Sequence, residues 1–130
     1  MGPVNWLAVV LAAALAVAIG IVWHGPLFRT GRQLLPGHSQ RAGNYAVVAM
    51  VFLISAAMLG HMFARIGAET LAVKPWLYFM QTGGVAVAFV VPAVWLTHVR
   101  GRSEPARRMV DCLFWLVAYL AMGLVFWLLG

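Results

Sequence analysis

An all-α membrane protein, folded as a four-helix transmembrane bundle with short loops, is expected from composition, run length and charge placement. Of 130 residues, 64% are hydrophobic and 9% charged, a usage far from that of soluble domains. A bilayer core about 30 Å thick needs roughly 20 apolar residues at about 1.5 Å rise each. Four stretches meet that requirement, at about residues 4–24, 45–65, 75–99 and 109–129. Backbone polar groups in lipid have to be satisfied within the chain, so four such runs are four helices, and short connections set neighbours antiparallel. The three connections are too short to fold separately, which makes 1–130 a single transmembrane domain.

The first run, "MGPVNWLAVVLAAALAVAIG", has no basic residue ahead of it. It is longer than the roughly 7–15 apolar residues of a secretory signal core, so it reads as a retained span. It ends in "IVWHGPLFRTGR", where Gly25-Pro26 stops the helix. Helices in lipid associate where small residues allow close approach. Ala8, Ala12, Ala16 and Gly20 form such a stripe on span one, Ala56, Gly60 and Ala64 on span two, and Gly83, Gly84 and Ala88 on span three. Pro92 removes a hydrogen bond within the third span and is expected to kink it near its middle. The fourth span opens near Asp111, a position at which the helix dipole favours a carboxylate.

Orientation follows from the nine Lys and Arg, which exceed the three acidic residues to give a formal charge of +6. They sit in gaps between apolar runs rather than on one amphipathic face, which marks membrane boundaries and not a nucleic-acid surface. Arg29, Arg32 and Arg41 occupy the first loop and Arg100, Arg102, Arg107 and Arg108 the third, against Arg65 and Lys74 in the second. Loops one and three are therefore expected on the cytoplasmic side of the membrane, with both termini outside. Aromatic residues agree: Trp6, Trp76, Tyr78 and Trp127 form an outer belt, and Trp23, Tyr45 and Trp95 an inner one. The arginine-rich loops predict contact with anionic lipid headgroups.

Few residues offer chemistry. No carboxylate lies deep in a span, which argues against the acidic proton-coupling site of a small antiporter. Glu69 and Glu104 are placed in loops. His24 closes the first span and His98 the third, both at the level of Asp111, so a His-Asp-His cluster at the inner face is one candidate site, able to bind a metal or tune a histidine. The alternative is that both histidines bond to headgroups and water. His61 lies about five residues, roughly 7–8 Å, inside the outer end of span two and should face protein or water. Gln81 and Thr82 fall at a similar depth, so His61 either bonds to Gln81 across the helices or lines an outward polar pocket bounded by Tyr78 and Asn5. Haem needs two axial ligands at one depth. Only His24 and His98 meet that condition, no attachment motif is present, and no cofactor or metal is expected.

"NWLAVVLAAALAVAIGIVWHGPLF", Asn5 to Phe28, resembles the start of the domain of unknown function 1761 family. Those are small bacterial integral membrane proteins whose first span opens with Asn-Trp-Leu-Ala and ends with Trp-Tyr-x-Pro-Leu and a nearby Phe. "DCLFWLVAYLAMGLVFWLLG" is similar to the family's last span, where a polar residue opens the helix and a Met-Gly pair lies in its second half, here Asp111 and Met122-Gly123. One departure is His24, where the family pattern has Tyr after the tryptophan; a ring with a polar tip is kept and a phenol is lost. The resemblance implies fold and location, and no reaction. The function expected is that of a non-enzymatic structural or accessory membrane subunit, self-associating or part of a larger membrane complex. The alternative is a small oligomeric channel or transporter with its pathway near His61 and Gln81. A third reading is a cofactor-binding or lipid-active protein using His24, His98 and Asp111 at the cytoplasmic face.

Overall fold

The computed structural model describes residues 3–23 and 42–129. They contain helices and no strand. The elements are α1 (Trp6–Val22), α2 (Ala42–Ile66), a short α3 (Ala68–Val73), α4 (Trp76–Arg100) and α5 (Pro105–Leu129). Three segments, Ala46–Ile66, Trp76–Arg100 and Pro105–Leu129, are long and apolar enough to cross a membrane, whereas α1 is apolar and shorter at 17 residues. His24, Gly25-Pro26, Arg29, Arg32 and Arg41 lie outside the described residues, as does the ring of Tyr45.

Helix α1 starts where Asn5 accepts a hydrogen bond from the Ala8 amide through its side-chain oxygen, a cap that satisfies one of the orphan donors of the first turn. Ala8, Ala12, Ala16 and Gly20 are all buried, as their spacing predicts. The stripe works because its small side chains admit large neighbours. A Cβ on Gly20 would lie 3.3 Å from the Phe114 ring of α5, and one on Gly60 of α2 would lie 2.9 Å from Val9 Cγ2. Thus α1 is seated between α2 and α5, with Ala56 of α2 buried as expected and Ala64 half-buried.

Sequence neighbours α2 and α4, in contrast, touch only sparingly, where the Phe63 and Tyr78 rings meet at 4.8 Å. Their connection is not a plain loop. Gly67, at φ 94, turns the chain into α3, whose Leu71 is buried, before Pro75 opens α4. Instead α2 reaches diagonally to α5: Phe52 packs on Phe114 and Trp115 at 6.0 and 5.0 Å, and Phe63 on Phe126 at 5.1 Å. The core is made of Phe52, Phe63, Phe114, Met122 and Phe126 around the alanines of α1, with the aromatic rings of α2 and α5 bridging two helices whose backbones stay apart.

Helix α4 runs along α5 through Tyr78, Thr82 and Ala86, all buried at i,i+4 spacing. This corrects the expected stripe: Gly83 is half-buried against Leu120, while Gly84 and Ala88 are exposed. The closest approach involves the glycine of the Met122-Gly123 pair. A Cβ on Gly123 would lie 2.5 Å from Thr82 Oγ1 and 3.2 Å from the Tyr78 carbonyl. Further along, residues Ala86–Val90 form a π-helical turn, closed by the Val91 amide on the Ala86 carbonyl. It stands just before Pro92, whose ring would crowd the carbonyl four residues back in a regular helix. A widened turn is a common answer to such crowding.

Candidate functional site

The end of the bundle that carries the 101–104 turn holds a pair of titratable side chains. Helix α4 stops in a Schellman arrangement, with the Ser103 amide on the His98 carbonyl at 3.0 Å and the Arg102 amide on Val99 at 3.2 Å. Arg102 occupies the left-handed position of that motif at φ 55, and Gly101 falls one residue before it. Helix α5 then starts at Pro105, the Glu104 carbonyl accepting from the Arg107 and Arg108 amides. The helix therefore begins a turn earlier than expected, which moves Asp111 beyond the first turn. Since the dipole acts within that turn, its favour for a terminal carboxylate does not account for Asp111.

A partner does account for it. His98 Nε2 lies 2.5 Å from Asp111 Oδ2, with side chains only 13% and 19% exposed. The imidazole N–H donates and the carboxylate accepts, a short charge-assisted bond across α4 and α5. Two of the three residues expected to converge at this end do so; the third, His24, lies outside the described residues. Beside the pair, Arg108 extends its guanidinium over the Trp95 ring at 5.7 Å, and Cys112 is buried with Sγ 3.9 Å from the Val91 carbonyl. Among the described residues no group of three or more His, Cys, Asp or Glu could hold a metal ion.

The opposite end, expected to join His61 to Gln81, is arranged otherwise. His61 is exposed, and its Nδ1 donates to the Ala57 carbonyl of its own helix at 2.8 Å. The edge of one ring meets the face of the other where His61 and Trp6 of α1 lie 5.8 Å apart. Gln81 is half-buried on α4, and α4 does not run along α2. Thr82, fully buried, donates from Oγ1 to the Tyr78 carbonyl at 2.9 Å and fills the space left by Gly123. Tyr78 is itself buried on Phe63 and is not a boundary anchor. Asn5 caps α1 and donates from Nδ2 to the Leu129 carbonyl at 3.0 Å. The polar residues of this end thus serve separate contacts, because the sequence-adjacent helices are not neighbours along their length.

Two polar ties escaped the sequence reading. Trp23, expected as a boundary anchor, donates its indole N–H to the Val110 carbonyl at 3.1 Å. Tyr119 donates to Ser55 Oγ at 3.1 Å between α2 and α5. A signal for the second existed in the central position of each residue in its run. What was absent was any hint that spans two and four meet.

No curated protein and no solved structure matches the chain. A family model described as "Protein of unknown function (DUF1761)" matches residues 7–127. The matched length runs from Leu7 in the first turn of α1 past the Met122-Gly123 contact in α5, and the chain belongs to the DUF1761 family.

Proposed function

We propose that the chain is an integral protein of a bacterial inner membrane with four spans, α1, α2, α4 and α5, and that it serves as a structural or accessory subunit without enzymatic activity. The 17 residues of α1 rise about 25 Å, at the short end of what a hydrocarbon core requires. The arginine-rich loops lie on the cytoplasmic side and both termini outside, as the charge rule implies. The observation that carries the subunit reading is the one-sided packing of α4, which meets α5 alone along most of its length and leaves the rest of its circumference, with Val87 and Phe89 exposed, without a protein neighbour among the described residues. A stripe on α2, Val47, Met50, Ile54 and Met58 at helical spacing, is likewise exposed. Native mass measurement of the protein extracted from its own membrane tests this: several copies, or a copy bound to another protein, is expected, and a lone chain of 14.2 kDa overturns it.

The His98–Asp111 pair favours a second reading, a cofactor-binding or lipid-active protein at the cytoplasmic face. Activity or cofactor absorption lost in His98→Phe at unchanged folding supports that reading; retention of both removes it. The channel alternative has no such support, since His61 and Gln81 do not share a surface.

A further inference from the structure

Arg108 is a half-buried cation with no ion-pair partner among the described residues. Its nearest carboxylate on α5 in sequence, Asp111, bonds to His98. The Arg108 Nε is fully covered with no hydrogen-bond partner. Trp95, projecting from α4, lies under the guanidinium at 5.7 Å and is 37% exposed. A guanidinium stripped of part of its water, set over an aromatic ring and covered at Nε, has its terminal Nη1 and Nη2 groups left to take a partner. That geometry matches the oxygens of a phosphate, which Arg binds in bidentate fashion. Arg100 and Arg102 add positive charge in the adjoining turn, against the single carboxylate of Glu104.

We propose that Arg108 and Trp95 form a binding site for the phosphate of an anionic phospholipid, on the cytoplasmic side of the α4/α5 pair. This rests on the reading that the 101–104 turn lies at the headgroup level. It goes further than general attraction between arginines and an anionic surface, because a planar fork on a ring is a site and a collection of charges is not. His98 contributes by occupying Asp111, which would otherwise compete for the guanidinium from one turn away on the same helix.

The test uses the full chain in detergent with phosphatidylglycerol and phosphatidylcholine added in equal amounts, retained lipid being counted by native mass spectrometry. The wild type is expected to keep phosphatidylglycerol in preference. Arg108→Lys preserves net charge and removes the planar fork, so retention should fall about tenfold, the scale of one lost hydrogen bond to a charged group. Arg100→Lys should change nothing. Trp95→Leu, which removes the platform from the other helix, should reproduce the loss and guards against a folding defect particular to Arg108. Equal retention by Arg108→Lys and Arg100→Lys, with phosphatidylglycerol still preferred, overturns the site and leaves the general boundary reading standing. Equal retention of both lipids by the wild type overturns both. Displacement of the lipid by millimolar inorganic phosphate assigns the site to a free anion and overturns the lipid assignment.

Discussion

Gly123 is the residue on which the α4/α5 contact depends. Any side chain there meets Thr82 Oγ1 and the Tyr78 carbonyl, and the carbonyl belongs to helix backbone that has little freedom to move. Gly123→Ala is expected to lower stability by about 1–3 kcal/mol, the usual cost of overpacking. Thermal denaturation in detergent measures it, and Gly84→Ala, in open space, is the control. Adding Thr82→Ala should recover part of the loss, because the hydroxyl is the nearer obstacle and the carbonyl remains. Arg102 offers the opposite sign. A non-glycine residue in the left-handed region costs about 1–2 kcal/mol, so Arg102→Gly should stabilise by up to about 1 kcal/mol once unfolded-chain entropy is counted. A melting temperature at or below that of the wild type would contradict this. The Met-Gly pair was visible in the sequence as a motif, but its reason was not, since the partner, Thr82, is about forty residues away in sequence.

At the level of elements, two clips set the register of α1 on α5. Asn5 holds Leu129 and Trp23 holds Val110, separations of 18 and 19 residues along the two helices. At about 1.5 Å per residue both span roughly 27–28 Å, so antiparallel helices of equal pitch satisfy both ends at once. In α4 the element-scale feature is the π turn before Pro92. A π turn takes up one residue more than a regular turn and so rotates everything after it by roughly 100°, the angular step of one residue. His98 meets Asp111 with that rotation included. Pro92→Ala, which permits a regular helix, is expected to reduce the coupling between His98 and Asp111, typically about 0.5–3 kcal/mol for groups in contact, toward zero. Deleting the exposed Val87 in the same background removes the extra residue and should restore it. A double-mutant cycle with His98→Phe and Asp111→Asn reads the coupling in each background; an unchanged value in Pro92→Ala alone would show that the turn does not set the phase.

For the whole molecule the expectation is a threading with Gly130 outside the cytoplasm. A periplasmically active reporter fused after Gly130 should work, and one active only in the cytoplasm should stay dark; the reverse pattern inverts the topology. The arrangement of helices bears on what the surface can do. Helix α4 packs mainly on α5, and Val87, Phe89 and Leu96 in its second half are exposed. An apolar surface of this kind suits lipid or a neighbouring helix.

That the chain is helical, and where its long apolar helices fall in order, are properties of consecutive residues, and the sequence by itself determined them, while the short α3 and the early start of α5 at Pro105 were not visible in it. Runs of about twenty apolar residues and the arginine-rich gap before α5 mark these elements without reference to what each one touches. The stripe on α1 was legible too, because four small residues at i,i+4 spacing leave one face with nothing large to offer. Rotation and partnership were decided only by the tertiary structure. A helix apolar all round has no polar face to give its orientation, so Gly83, Gly84 and Ala88 suggested one side of α4 while Tyr78, Thr82 and Ala86 were buried on another. His61 and Gln81 failed to meet for the same reason: matching depth brings two residues together only if their helices pack, and α2 packs along α1 instead, reaching α5 only through long side chains. His98 and Asp111 did meet because a four-residue turn joins their helices, which keeps residues near its two ends close in space.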